Sequence, residues 1–354
     1  MRRTGLKAAV FREYSEDPAQ VVKIEDVETP RPGQGEVALR IEAASYNFND
    51  LWAIRGHPTQ VPLPHISGSD ASGVITEVGE GVKKLKVGDR VVSHSNMSCR
   101  VCEMCTSGRE FDCPERKIWG FESGPLWGGF AQYTHLPEVN VLKLQDNVSF
   151  ADAAAISMAG MTAWHALVGR ARIQPGQTVL VMGGRSGVGT VGIQIAKLFG
   201  CEVITTVGSD DQEERCTGLG ADYVVNHRKE EWSRRVREYT KKKGVDVIFE
   251  HLGTTHFQQE VGLLRMGGTL VTSGATTGYE SALDLRFLFY KGTNLMGATQ
   301  GTAAELQALM KWVSKGKVRA VVDTVLPFSD MVQGHVMMLQ GRQFGKLLTT
   351  PQKM

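Results

Sequence analysis

VLVMGGRSGVGTVGIQIAK, residues 179–197, joins a short apolar run to a glycine-rich turn and the start of a helix. The apolar run Val179 to Met182 is typical of a buried parallel strand, which the glycines then end. The spacing Gly184-x-Ser186-x-x-Gly189 approximates the dinucleotide fingerprint, in which a tight turn and a helix N-terminus hold a pyrophosphate. An ordinary strand-to-helix turn is the alternative, but the alternating strands and helices around it favour a dinucleotide site. We expect the cofactor to contact Gly184, Arg185, Ser186, Gly187, Val188 and Gly189.

The chain around this turn divides into a β-rich part and an alternating part. With 354 residues it is longer than one core usually organises. In residues 1–154, short strand-like runs alternate with turns, which predicts a small antiparallel β domain. Residues 155–298 alternate helical runs with strands such as VLVM, EVITTV and DVIFEHLG, as in a doubly wound parallel sheet. The predicted fold class is therefore α/β.

Composition and charge exclude several classes of protein. The formal net charge is +2 and charges of both signs are interspersed, so no nucleic-acid surface is expected. The N-terminal sequence MRRTGLKAAVF has no apolar stretch long enough for a signal peptide, and no run of about 18 apolar residues predicts a membrane span. We expect a cytoplasmic protein that binds neither membrane nor nucleic acid.

A loop at residues 95–115 has the spacing of a metal site. It contains four of the six cysteines, Cys99, Cys102, Cys105 and Cys113. Four thiolates in one loop match the tetrahedral preference of a closed structural zinc site. Two disulfides or four free thiols are the alternatives, and a reducing compartment disfavours the disulfides.

Three segments carry a resemblance to a known family: GSDASGVITEVGEGVKKLKVGDRVV at 68–92, GGFAQY at 128–133 and AGMTAW at 159–164. Together with the glycine turn, they resemble the medium-chain dehydrogenase/reductase superfamily, and the likeness runs over nearly the whole chain. The resemblance implies a GroES-like catalytic domain at 1–154 and a Rossmann domain at 155–298. It also implies that residues 299–354 return to the catalytic domain, and that the cysteine loop holds a structural zinc remote from the chemistry.

The zinc-dependent alcohol dehydrogenases of this superfamily hold a second, catalytic zinc with Cys, His and Cys. Those three positions correspond here to Asn47, Ser69 and Met158, none of which can replace a thiolate or imidazole ligand. Without that Lewis acid, nothing evident lowers the pKa of an alcohol hydroxyl. The resemblance therefore implies one structural zinc per chain, no catalytic zinc and no alcohol oxidation.

Within the superfamily, the segments NFNDLWA (47–53), PLPHISGSD (62–70) and IWGFE (118–122) are similar to enoyl-thioester reductases, particularly crotonyl-CoA carboxylase/reductases. In those carboxylases an Asn, a Phe-Glu pair and a His form the carbon dioxide pocket. Thr299 stands where that histidine is expected, so simple reduction is favoured over carboxylation. The implied catalytic residues are Asn47, Asn49, Phe121, Glu122 and Thr299.

Other functions for these side chains remain open. Phe121 is equally consistent with a core residue, and Glu122 with a surface carboxylate. His65, His94 and His251 are the nearest candidates for a proton donor, although a lone histidine is more often structural.

The residues after the second strand of the alternating part indicate the cofactor. NAD-preferring enzymes present an acid there to the ribose 2′-hydroxyl, about 20 residues past the fingerprint. Here the strand ends in Gly208-Ser209, and Ser209 and Arg228 are suitable donors for a 2′-phosphate. NADPH is favoured and NADH remains possible, because Asp210 and Asp211 would oppose the phosphate if they turned inward. Two further residues complete the expected cofactor contacts, Thr162 in AGMTAW and Gly274 at the end of GGTLVTSG.

The sequence thus predicts NADPH-dependent reduction of the C=C bond of a short-chain 2-enoyl-CoA. An NADPH quinone oxidoreductase and a non-catalytic NADPH-binding protein are the alternatives. The segment 284–298 is expected to form the edge strand of the parallel sheet, and an apolar edge strand favours a homodimer or homotetramer.

Overall fold

The structure is a computed structural model that describes residues 4–229 and 231–354. The strands in these residues are β1 (Thr4–Val10), β2 (Lys23–Glu28), β3 (Glu36–Ser45), β4 (Asp70–Val78), β5 (Arg90–Ser93), β6 (Asn96–Met97), β7 (Lys117–Ile118), β8 (Tyr133–Pro137), β9 (Val141–Lys143), β10 (Thr178–Val181), β11 (Glu202–Val207), β12 (Tyr223–Asn226), β13 (Val245–Glu250), β14 (Leu264–Thr272), β15 (Asn294–Gly297), β16 (Val322–Pro327) and β17 (Lys346–Thr350).

The α-helices of the same residues follow in chain order. They are α1 (Pro18–Val21), α2 (Phe48–Arg55), α3 (Glu103–Thr106), α4 (Phe150–Trp164), α5 (Gly187–Leu198), α6 (Asp211–Thr217), α7 (Trp232–Tyr239), α8 (Phe257–Leu263), α9 (Leu285–Phe289), α10 (Ala303–Ser314) and α11 (Met331–Gln340). A π-helical segment, His165–Arg170, continues α4. None of these helices is both long and apolar enough to cross a lipid bilayer.

The chain forms two compact units. The first contains the residues up to Ala159 together with Thr302–Met354, and the second is Gly160–Gly301. The unit boundaries thus lie at 159/160 and 301/302, where the sequence pattern predicts 154/155 and 298/299.

The first unit is built on a mostly antiparallel sheet in the order β16-β17-β3-β4-β5-β9, with β8 also paired to β3. β3 supplies the core residues Val37, Leu39 and Ile41, all fully buried. The pairing of Ser45 at the end of β3 with Asp70 in β4 and with Leu348 in β17 brings three strand ends together. A cluster of buried polar residues lies at these strand ends.

The second unit has one parallel sheet in the order β12-β11-β10-β13-β14-β15. The fully buried residues Val179, Leu180 and Val181 form its central strand, as expected for a sheet covered on both faces. The strand order reverses between β10 and β13, and ligands of such sheets bind beyond the carboxyl ends of the strands at this point. The predicted α/β fold class, a β-rich unit and a unit built on a parallel sheet, is confirmed.

Candidate functional site

The glycine turn of the second unit has the geometry of a dinucleotide site. Gly183 has a φ of +60°, and α5 begins directly after its N-cap, Ser186, whose hydroxyl accepts the Gly189 N–H at 2.8 Å. A Cβ on Gly184 would lie 2.3 Å from Thr205 Oγ1, and one on Gly189 would lie 2.3 Å from the Gly183 carbonyl oxygen. Because these residues lack a side chain, the turn can pack closely on β11. The helix N-terminus that follows the turn is suited to an anionic group.

His251 supports this turn from the end of β13. Its Nε2 lies 3.2 Å from Ser186 Oγ. That oxygen also accepts the Gly189 N–H, so the Ser186 side chain connects the His251 imidazole to the first turn of α5. Burial lowers the pKa of His251, which favours the neutral form of the ring. The backbone of Gly274 packs against the backbone of His251, since a Cβ on Gly274 would be 2.9 Å from the His251 carbonyl oxygen.

The other two candidate histidines are buried in the first unit. His65 Nδ1 lies 3.2 Å from the Pro62 carbonyl, its ring centroid is 5.3 Å from that of Phe11, and burial lowers its pKa to about 4. His94 is fully buried, with Nε2 3.9 Å from a carboxylate oxygen of Glu110. Both histidines thus have internal contacts typical of structural side chains.

Two arginines converge where an NAD-preferring enzyme would carry its acid. A Cβ on Gly208, directly after β11, would lie 3.5 Å from Arg228 Nε. The pKa of Arg185 is lowered by burial and by the positive charge of Arg228, so the two guanidinium groups are close enough to repel each other. Ser209 is half-buried beside them. This arrangement is suited to a phosphate group.

Two expected cofactor contacts lie on helices of the same unit. Val188 is half-buried in the first turn of α5, next to the glycine turn. Thr162 is buried in the last turn of α4.

The three strand ends of the first unit hold a buried polar cluster around Asn47. Its Nδ2 donates to Asp70 Oδ2 at 2.7 Å, and its Oδ1 accepts from Lys346 Nζ at 2.6 Å. Lys346 Nζ also donates to the Tyr46 carbonyl at 2.6 Å and lies 3.6 Å from Asp70 Oδ2. The other oxygen of Asp70 accepts the Met158 N–H at 2.6 Å. The Asp70 carboxylate thereby joins segments from three distant parts of the sequence.

Burial sets the electrostatics of this cluster. The Asp70 side chain is 0% exposed and that of Lys346 is 7% exposed. Burial raises the pKa of Asp70 and lowers that of Lys346, and each opposes the shift of the other by its charge. Asp50 accepts the backbone N–H groups of Asn47 at 2.7 Å and of Gly68 at 3.0 Å, while burial raises its pKa to about 7.

Asp50, Asp70 and Lys346 are site residues that the sequence patterns did not predict. The one available signal was that Asp70 and Lys346 are charged residues at the first position of two strands, DASGVITEV and KLLTT. A charge in that position is buried only if its partner arrives from another strand.

The positions of the catalytic-zinc ligands do not fit a metal in this chain. An amide, a hydroxyl and a thioether replace the thiolates and imidazole at Asn47, Ser69 and Met158. The oxygen of the amide is already bonded to the Lys346 ammonium. Ser69 Oγ accepts Asn49 Nδ2 at 2.8 Å. These groups form a hydrogen-bonded network rather than a ligand set.

The remaining catalytic candidates differ in their surroundings. Asn49 is buried, and its Oδ1 has no hydrogen-bond partner within residues 4–229 and 231–354. Phe121 is 5% exposed and belongs to the hydrophobic core of the first unit. Glu122 is half-buried and accepts the Ile118 N–H at 2.8 Å, which stabilises the local turn. Thr299 lies in the second unit, two residues after β15.

The four cysteines of the 95–115 loop converge on one point. Their sulfurs all lie within 4.8 Å of one another, with Cys99 3.6 Å from Cys113 and 3.9 Å from Cys105. A tetrahedral zinc with Zn–S bonds of about 2.3 Å requires sulfurs about 3.8 Å apart. Backbone N–H groups lower the pKa of Cys99 to about 7, which favours the thiolate. The arrangement of the four sulfurs, including that of Cys102, thus fits a zinc ion.

A GroES-like β unit together with a parallel sheet carrying a dinucleotide turn defines an oxidoreductase that uses a nicotinamide cofactor. Two family models match the chain, "Alcohol dehydrogenase GroES-like domain" over residues 33–146 and "Zinc-binding dehydrogenase" over residues 187–315. The chain belongs to the medium-chain dehydrogenase/reductase superfamily.

Known proteins similar to this chain include both reductases and alcohol dehydrogenases. A crotonyl-CoA carboxylase/reductase of Cereibacter sphaeroides is 30% identical, over 94% of this chain and 84% of that protein. A crystal structure of an NAD-dependent alcohol dehydrogenase is 38% identical with a TM-score of 0.92, over 97% of this chain and 99% of that one. A 2-octenoyl-CoA carboxylase reductase solved with NADP and 2-octenoyl-CoA is 26% identical with a TM-score of 0.90, over 99% and 88%.

Proposed function

We propose that this oxidoreductase uses NADPH to reduce the C=C bond of a short-chain 2-enoyl-CoA, such as acryloyl- or crotonyl-CoA, with little or no carboxylation. The observation that carries the proposal is the hydrogen-bonded network of Asn47, Asp70 and Lys346 in place of catalytic-zinc ligands. It argues against the zinc-assisted alcohol oxidation of this superfamily, in which the metal acts as a Lewis acid on the alcohol oxygen. The names of the carboxylase/reductase relatives support an enoyl-CoA substrate.

The reaction requires a hydrogen-bond donor for the thioester oxygen, where negative charge develops. NADPH, when bound, supplies the hydride to the β-carbon. The Lys346 ammonium polarises the Asn47 amide through its oxygen, which strengthens the amide N–H groups as donors. One of the two Asn47 N–H groups donates to Asp70. The other has only a long contact, in which Nδ2 lies 3.4 Å from the Ser45 carbonyl oxygen. In our proposal this second N–H donates to the developing enolate oxygen.

The proposed preference for NADPH rests on the pair Arg185 and Arg228 beside Gly208. Two positive charges at this point favour the 2′-phosphate of NADPH, whereas the 2′-hydroxyl of NADH is uncharged. Thr299 in place of a histidine is the reason for proposing reduction without efficient carboxylation.

We further propose that the four-cysteine cluster binds one structural zinc per chain. The sulfur separations match a tetrahedral site, and a closed site of four thiolates has no position for substrate. The metal would order a polar loop whose regular structure is limited to the two-residue strand β6, short α3 and a single 3₁₀ turn, Glu110–Asp112.

With NADPH, the purified enzyme is expected to reduce crotonyl- or acryloyl-CoA and to show no oxidation of ethanol. Steady-state assays on a panel of acyl-CoAs, simple alcohols and quinones with both nicotinamides measure this. Added bicarbonate is expected to divert only a small share of product to the carboxylated acid, because Thr299 is not a histidine. Rapid alcohol oxidation, or quinone reduction without enoyl-CoA turnover, would contradict the proposal.

The protein is expected to be a homodimer or homotetramer that pairs through β15, the edge strand of its sheet. The preceding helix α9 and the residue after it expose Phe289 and Tyr290, each 76% accessible, which a partner subunit would cover. Light scattering at micromolar concentration is expected to give at least the mass of a dimer, and Phe289→Glu is expected to shift it toward the monomer. A monomeric wild type would rule out this assembly.

A further inference from the structure

Two aspartates follow β11 at the position that decides between the two nicotinamide cofactors. Asp210 and Asp211 lie next to Ser209, where a carboxylate would bond the ribose of NADH and repel the 2′-phosphate of NADPH. Asp210 is the N-cap residue of α6, yet its side chain makes no capping hydrogen bond to that helix. Its carboxylate is therefore held by something other than its own helix.

The segment after β12 holds the Asp210 carboxylate by both oxygens. Asn226 Nδ2 donates to Oδ1 at 2.6 Å, and Lys229 Nζ forms an ion pair with Oδ2. The Asn226 amide has a fixed orientation, because its oxygen accepts the Arg228 N–H at 3.0 Å and its nitrogen must then face Asp210. The Lys229 and Asn226 hydrogen bonds lower the pKa of Asp210, so the carboxylate stays ionised and bound.

This arrangement leaves the positive groups on the side of Gly208. The Arg228 guanidinium lies over Gly208, and its positive charge lowers the pKa of Arg185. Asp211, the first residue of α6, is the carboxylate whose charge still acts on Arg185. The negative charge of Asp210 is balanced by Lys229. The positive charges of the two arginines therefore exceed the one negative charge that remains, that of Asp211.

We propose that Lys229, assisted by Asn226, is a specificity-positioning pair that holds Asp210 away from the adenosine ribose and so allows the 2′-phosphate of NADPH to bind. The inference rests on the proposed preference for NADPH and deepens it. Lys229 acts here through Asp210 and not by touching the cofactor. Removing Lys229 therefore frees a carboxylate, and removing that carboxylate as well restores the site.

The pair contributes little to folding, which separates the two effects in an experiment. The side chains of Lys229 and Asp210 are 64% and 53% exposed, and ion pairs this exposed contribute little to stability. The thermal unfolding temperature of a Lys229→Met variant is therefore expected to match that of the wild type, while cofactor selectivity changes.

The test measures the dissociation constants of NADP⁺ and NAD⁺ by isothermal titration calorimetry for four proteins. They are the wild type, Lys229→Met, Asp210→Asn/Lys229→Met, and Lys243→Met as a control for an exposed lysine elsewhere in the same unit. Lys229→Met is expected to lower the NADP⁺:NAD⁺ affinity ratio by roughly 10-fold, because a freed carboxylate repels the phosphate. The double variant is expected to recover the wild-type ratio within about 2-fold, and Lys243→Met to leave it unchanged.

Each other outcome has a distinct meaning. An unchanged ratio in Lys229→Met overturns the inference and leaves the proposed function intact. A loss that the double variant does not recover shows that Lys229 itself binds the phosphate, which overturns the positioning role. A wild type that binds NAD⁺ more tightly than NADP⁺ overturns the proposed cofactor and, with it, this inference.

Discussion

Replacing Lys346 with methionine is expected to lower the free energy of unfolding by about 3–5 kcal/mol, because it removes one partner of a buried ion pair. The change leaves the Asp70 carboxylate, 0% exposed, without its cation. It also removes the donor at 2.6 Å from both Asn47 Oδ1 and the Tyr46 carbonyl. Because the proposed polarisation of Asn47 depends on Lys346, kcat for enoyl-CoA reduction is expected to fall as well. Urea unfolding followed by tryptophan fluorescence measures the loss of stability.

Two further variants separate charge from shape. Lys317→Met changes an exposed lysine of the same unit and is expected to alter stability by no more than about 0.5 kcal/mol. Asp70→Asn added to Lys346→Met is expected to recover part of the loss, because the uncompensated charge is then gone. A Lys346→Met protein as stable as the wild type would mean that the buried ion pair does not form.

Replacing Cys102 with serine is expected to abolish tight zinc binding, reducing the content from one zinc per chain to near zero after dialysis against a chelator. Serine supplies a poor fourth ligand, and a closed site with three thiolates no longer has its tetrahedral set. The free energy of unfolding is expected to fall by about 4 kcal/mol, because in our proposal the metal organises the 95–115 loop. Elemental analysis of the dialysed protein and urea unfolding measure the two effects.

Cys201→Ser is the matched control for the metal measurement. Cys201 is buried in the second unit, where its sulfur lies 3.4 Å from the Gln174 carbonyl, and it takes no part in the four-cysteine cluster. This variant is expected to keep one zinc per chain. Zinc retained by Cys102→Ser would refute the proposed site, and two zinc ions in the wild type would show that Asn47, Ser69 and Met158 have been wrongly taken as non-ligands.

Features that depend on the local spacing of residues could be predicted from the sequence. The apolar run and glycines of residues 179–197 predicted the strand, turn and helix, because each of these follows from neighbours along the chain. The absence of thiolate and imidazole side chains at Asn47, Ser69 and Met158 is likewise a fact of the sequence once the family is recognised. Four cysteines within fifteen residues converge because the intervening loop is short.

The meeting point of the buried charges became known from the folded chain, because it depends on how distant strands pair. Lys346 and Asn47 are 299 residues apart, and the pairing of β17 and β4 with β3 brings Lys346 and Asp70 to the same strand end. The direction of the Asp210 carboxylate was open for the same reason, since its partners are Asn226 at the end of the neighbouring strand β12 and Lys229 in the turn that follows. A charged side chain is stable in a buried or ligand-facing position only with its partner, and strand pairing determines which partner it has.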